Sequence, residues 1–336
     1  MLYKKIVGKI WGQNGIKILA YHKVNNEPHD YLGLNTTISN FKAQMKYLKR
    51  NYNIISLKDA INMLHSTERI PMDTIVITFD DGYKDNYLHA FPILKKYKIP
   101  ATIFVTTNPI ESRTPLWFER ISNTIEKTSK EEIDLKCFEL GRYAVKTESQ
   151  KREATLEIVK QVKEFKPEER SCLVNFICDE LEDKNKDNSI KLKNNNILSW
   201  EEIREMKEWG ITIGSHALSH IILSKVPIDY ARHEIFQSKK VLEEKLGEEI
   251  SLFAYPNGSA DDFNEKIIDL VREAGYICAC ALIKGINRKN DCVFALKRIE
   301  IDDEITRRIP LYFSMPVFAA EVAGLFDLLF LRFLRR

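Results

Sequence analysis

Short apolar runs recur along this chain with helical stretches between them, and that alternation constrains the fold more than any other feature. Ile18–Tyr21, Thr74–Phe79, Ala101–Thr106, Ile211–Ser215, Leu252–Tyr255 and Ile277–Leu282 are rich in Ile, Val and Phe. Runs of this kind read as strands covered on both faces, as in a parallel sheet flanked by helices. Between them, Asn40–Asn51 and Asp229–Leu246 read as helices, with Phe41, Met45 and Leu48 recurring on one face. Ser39 is the expected cap of the first. The class is therefore α/β, and periodicity alone does not separate a barrel from a doubly wound sheet. A chain of 336 residues, 44% of them hydrophobic, buries a large core within one main domain.

From about Glu111 to Asn196 the strand-like runs give way to Lys, Glu and Asn, which marks an insertion. Lys151–Phe165 and Glu168–Glu182 read as amphipathic helices, and Asp183–Asn196 as a polar loop. Ser199 and Glu202 form a capping box where the helical pattern resumes. Trp117, at the start of the insertion, offers aromatic surface for stacking on a sugar ring, core packing being the other use of such a side chain.

Two segments carry the chemistry. Ile75–Phe79 runs directly into Asp80-Asp81-Gly82, and adjacent carboxylates repel unless their roles are divided, as a cation bound to one of them would do. After Ile211–Ile213 comes Gly214-Ser215-His216-Ala217-Leu218-Ser219-His220. Two histidines four apart face the same way on a helical turn. Two imidazoles and one carboxylate make a three-ligand site with a position left open for chemistry.

With these blocks the chain resembles the polysaccharide deacetylases, also called carbohydrate esterase family 4 or the NodB-homology group. The resemblance implies a distorted (β/α) barrel of about seven parallel strands, spanning residues 1–310 and followed by a hydrophobic helical tail at 311–336. It also implies removal of N-acetyl groups from amino sugars of a glycan. By the family's first motif, Asp80 is the catalytic base and Asp81 a metal ligand; by its second, His216 and His220 complete the metal site. Zinc is the first expectation for the divalent metal, with Co2+, Mn2+ or Fe2+ also suited to these donors.

Phe253-Ala254-Tyr255-Pro256-Asn257-Gly258 resembles the family's groove-wall motif in its biofilm-polysaccharide branch. Tyr255 and Pro256 are then substrate-binding residues, and the Asn257 backbone N–H inherits the oxyanion-holding role. The family's common arginine is replaced by Ala254, and Arg298 is the nearest substitute. No histidine follows His233, so the late proton-donating histidine of the family is absent. The Tyr21-His22 pair ends the first strand, where barrel enzymes place their chemistry, and makes His22 the candidate general acid; bonding to neighbouring backbone is its alternative role.

A net charge of +3 and the lack of a basic helix interleaved with aromatics argue against nucleic acid. Six cysteines without a C-x-x-C pair suit reduced thiols in the cytoplasm, and Cys278 and Cys280 alternate onto one strand face. Met1–Gly12 has no apolar stretch of signal-peptide length. Pro316–Arg336 is apolar with a basic end but is interrupted by Glu321 and Asp327. It reads as an interfacial helix at the inner membrane face or as a helix docked on the barrel. A lipid-linked or nucleotide-linked amino sugar is accordingly the alternative substrate, and an inert glycan-binding homologue the alternative outside enzymology.

Overall fold

The computed structural model describes residues 15–181, 196–303 and 314–324. Its main sheet contains β1 (Lys17–Tyr21), β2 (Thr74–Phe79), β3 (Thr102–Val105), β4 (Thr212–Ser215), β5 (Leu252–Ala254), β6 (Cys278–Cys280) and β7 (Ile299–Glu300). The order across the sheet is β6-β5-β4-β3-β2-β1-β7, all neighbours pairing in parallel. Asn53–Ile54 adds a short strand beside the start of β2. The two ends of the row meet, because Leu296, just before β7, donates to Ala279 O and accepts from Ala281 N–H at β6. The sheet thus curls into the expected distorted (β/α) barrel, with every strand's carboxyl end on one rim.

Alternation along the strands divides the core in two. Ile18, Val76, Phe104, Leu252, Cys278 and Cys280 form one cluster, filled out by Leu57, Ile61 and Leu64 of Leu57–His65. Leu19, Ile75, Ile77, Ile103, Ile213 and Phe253 belong to the other, against the surrounding helices. Gly214 is needed in β4, since a Cβ there would stand 2.5 Å from the Phe104 ring. Helix α1 (Ile38–Asn51) starts after Thr37, which occupies the cap position without a side-chain cap bond, and Ser39 lies inside its first turn. Asp303 explains this shift: its carboxylate accepts from Thr37 N–H at 3.0 Å and Asn40 Nδ2 at 2.9 Å, pinning the chain two residues early.

The insertion packs α2 (Trp117–Lys127), α3 (Glu148–Val162) and α4 (Pro167–Leu181) through Ile121, Ile125, Ile158, Val162, Leu173 and Ile177. It also contains an unforeseen hairpin, Glu132–Asp134 with Arg142–Ala144. A buried cluster ties it to the rim: Lys23 Nζ pairs with Glu119 at 2.8 Å, and Tyr83 OH donates to Glu119 at 3.0 Å. Helix α5 (Trp200–Glu208) starts with the expected Ser199–Glu202 capping box, and α6 (Ile228–Leu246) covers β4.

The described start of the tail, α7 (Met315–Ala323), lies on the barrel, where Phe318 meets Tyr47 edge-on and Glu321 pairs with Lys284 at 2.6 Å. Met1–Gly12, residues 183–195 and the tail beyond 324 lie outside the described residues. Among the described residues no helix is long and apolar enough to cross a membrane.

Candidate active site

The pairing of β2 with β1 continues one residue past the strand, with Asp80 N–H donating to Tyr21 O at 2.9 Å. The chain then turns sharply through Asp81 at φ 73° and Gly82 at φ 80°. Gly82 also sits against Val105, whose Cγ1 would be 3.1 Å from an added Cβ. Both carboxylates are buried at the rim, and the turn sends them to different partners.

Asp80 receives a bidentate pair from Arg298, Nη1 to Oδ1 and Nη2 to Oδ2, each at 2.7 Å. Arg298 is fixed in turn by Nε to Ala281 O at 2.9 Å and Nη1 to Thr78 Oγ1 at 3.3 Å. Burial alone would raise the Asp80 pKa, but the adjoining guanidinium outweighs it and the carboxyl titrates below its ordinary range. Asp80 is therefore held ionised and in one orientation.

Asp81 faces His216 and His220, whose Nε2 atoms lie 3.5 and 3.2 Å from its Oδ1. The two histidines do not share a helical turn, contrary to the reading from their spacing. They sit on a loop after β4 in which Ala217 and His220 have φ of 61° and 55°, so it is two left-handed residues that bring the rings together. This backbone is expensive for residues with a Cβ. Glu234 of α6 supports it: one oxygen accepts from Leu218 N–H at 3.0 Å and Ser219 N–H at 2.9 Å, the other from the Ser219 hydroxyl.

The donor chemistry fits a cation. His216 Nδ1 lies 2.8 Å from Ala254 O, which can only accept, so the proton belongs on Nδ1 and the Nε2 lone pair faces Asp81. Burial pushes the His216 pKa down to about 4, keeping the ring neutral. Asp81 Oδ1 is buried without a hydrogen-bond donor. Three electron-pair donors thus converge within 4.8 Å, the arrangement that a divalent metal satisfies.

These groups open into a cleft of about 570 Å³, lined also by His22, Asn257 and Phe118. His22 is held through its carbonyl, which accepts from Asn86 Nδ2 at 2.8 Å. Asn257, at φ 57°, tops a turn closed by Gly258 N–H to Pro256 O at 2.7 Å, and its own Nδ2 is buried without a partner.

Three expected substrate contacts have other positions. Tyr255 is buried under the rim, stacked on Phe263 at 4.2 Å with its hydroxyl on Phe294 O at 2.9 Å, and neither it nor Pro256 lines the cleft. Trp117 stands behind His220, its Nε1 3.4 Å from the His220 carbonyl; its neighbour Phe118 faces the cleft instead. The far wall comes from the insertion, through Leu156, Val159, Lys160 and Lys163. The amphipathic pattern marked that helix without showing which face meets the cleft. Glu234 was missed because one acid on a long helix has no distinctive signal.

The sequence profile of one family, described as Polysaccharide deacetylase, matches residues 68–279, which takes in Asp80, Asp81, His216, His220 and Asn257. The chain belongs to this polysaccharide deacetylase family. One relative is the putative polysaccharide deacetylase YxkH of Bacillus subtilis, 23% identical over 287 residues, or 85% of this chain and 71% of that protein. The poly-beta-1,6-N-acetyl-D-glucosamine N-deacetylase of Staphylococcus epidermidis is 34% identical over 113 residues, a stretch covering 30% of this chain and 39% of that one. Among solved structures, IcaB from Ammonifex degensii superposes with a TM-score of 0.58 at 19% identity, covering 93% of this chain and 98% of that one. Deacetylase PplD of Streptococcus pyogenes, solved with acetate, gives 0.58 at 19% identity, covering 87% and 94%. These two superpositions support the barrel, and the family supports dependence on a divalent metal.

Proposed function

We propose that this polysaccharide deacetylase is a hydrolase that removes acetyl groups from N-acetylated amino sugars of a glycan, with poly-N-acetylglucosamine as the first substrate to test. The observation that carries the reading is the division of labour at the end of β2: Asp80 is locked on Arg298 while Asp81 turns to His216 and His220. Asp81, His216 and His220 hold the metal, and zinc suits two imidazoles and one carboxylate. That ion supplies Lewis-acid polarisation of the amide carbonyl and of the attacking water.

Asp80, ionised and oriented by Arg298, takes the proton from the water. The Asn257 N–H, at the apex of its turn on the cleft wall, donates to the developing oxyanion. His22, on the same cleft, protonates the departing nitrogen. The glycan lies between the barrel rim and α3, where Phe118 and Leu156 give apolar surface to a sugar face and Lys160 and Lys163 give donors to its hydroxyls. A glycan is preferred to a lipid-linked sugar because the relatives include poly-beta-1,6-N-acetyl-D-glucosamine N-deacetylases.

Acetate release from N-acetylglucosamine oligomers tests the reading, with metal-loaded wild type set against Asp80→Asn. Release should fall by about two to four orders of magnitude in the variant. Equal release from both proteins rejects Asp80 as the base, and binding without release by wild type under every metal condition rejects the hydrolase.

A further inference from the structure

Behind the loop that carries His216 and His220 lies a second cavity, of about 470 Å³, which shares no lining residue with the catalytic cleft. The amino ends of two insertion helices open onto it, α2 through Trp117 and α4 through Pro167 and Arg170. Leu218 and Ser219, between the two histidines, form its floor, and Tyr230 and His233 from the start of α6 complete it.

Arg170 is the group without an explanation there. It is only 7% exposed and lies over the Trp117 ring at 5.0 Å. Among the described residues its guanidinium makes no hydrogen bond, and no carboxylate comes within ion-pairing distance. Burial pushes its pKa down, against the opposing pull of the Glu234 charge. Glu234 is the nearest buried acid on the wall, but its oxygens are occupied by Leu218 N–H, Ser219 N–H and the Ser219 hydroxyl. Arg120 adds a second guanidinium, of which Nη2 is engaged by Asn175 Oδ1 at 2.8 Å.

A guanidinium presents five donors in a fixed fork, and this one reaches the cavity with no protein acceptor on it among the described residues. Carboxylate and phosphate oxygens match the fork two at a time. The amino ends of α2 and α4 favour the same sign of ligand. We propose that this cavity is a binding site for an oxyanion of the carboxylate or phosphate class, held by Arg170 with support from Arg120. Such a group belongs either to a charged substituent on the glycan or to a free anion. Trp117 connects the site to the metal centre, since one side chain both underlies Arg170 and reaches the His220 carbonyl.

The test is calorimetric titration of inorganic phosphate into the full-length, metal-loaded protein, comparing wild type with Arg170→Gln and Arg120→Gln. Neither arginine lines the catalytic cleft, so a difference between proteins isolates this cavity from phosphate at the metal. Wild type should bind saturably, Arg170→Gln at least about tenfold more weakly, and the more exposed Arg120→Gln several-fold more weakly. Absence of binding by wild type, or equal affinity in all three proteins, overturns the site. The titration needs no turnover, so its outcome is independent of the deacetylase reading. Rates on acetylated oligosaccharides with and without a phosphate or uronic acid then identify the source. A drop in Arg170→Gln confined to the charged oligomer assigns the site to substrate, and altered phosphate binding without such a drop assigns it to a free anion.

Discussion

Replacing Arg298 by Met should damage the protein twice, in stability and in turnover, and the two effects have one origin. The guanidinium is fully buried and makes two 2.7 Å bonds to Asp80. Met fills much of the space but leaves a carboxylate in the interior without its counter-charge, a loss of about 3–5 kcal/mol. In a chain of this size that corresponds to roughly 4–7 °C in Tm. Asp80→Asn strands the arginine instead, although Thr78 Oγ1 and Ala281 O still accept from it. The double variant has no stranded charge, so its loss should be smaller than the sum of the single losses by about 1–3 kcal/mol. Urea unfolding of the four proteins gives the cycle. Acetate release by Arg298→Met should fall about a hundredfold or more as the base loses its orientation. Arg298→Lys should not restore it, because one ammonium cannot reproduce the fork. Additive losses across the cycle, or wild-type turnover in Arg298→Met, would mean that Arg298 neither compensates nor orients Asp80.

His22→Ala should lower kcat by roughly two to four orders of magnitude with bound metal unchanged, as measured by acetate release and metal analysis; near-normal kcat rejects the general-acid role. Glu234→Gln should weaken metal retention on the order of tenfold in a chelator competition, because the amide cannot accept all three donors that shape the His216–His220 loop. Retention equal to wild type would make Glu234 a packing residue only.

Much of the barrel was legible because its strands are covered on both faces and therefore read as unbroken apolar runs; β2, Thr74–Phe79, is buried at every residue. The ring closure was not legible, because it runs through a few backbone bonds at Leu296 with no pattern of their own. At the site, Asp80, Asp81, His216 and His220 stood out through adjacency and spacing, yet the helical explanation for the histidines was wrong. Left-handed backbone at Ala217 and His220 carries no glycine to announce it. Arg298 is 218 residues from Asp80 along the chain and became a candidate only as the nearest substitute for the family's arginine, replaced here by Ala254. Tyr255 was read as a sugar contact from the groove-wall motif and Trp117 as either a sugar contact or a core residue, whereas tertiary packing turned both into supports beneath the rim and behind His220. Side-chain direction at the end of a strand depends on the turn that follows, and these turns leave the standard repeat.

Asp81, His216 and His220 are proposed to hold one catalytic metal ion. Chelator-stripped protein titrated with zinc, with acetate release followed at each addition, tests it most directly. The stripped protein should release no acetate, with a rise on adding zinc that saturates at about one equivalent and no rise in Asp81→Asn. Full release by the stripped protein, or a normal titration by Asp81→Asn, would contradict it.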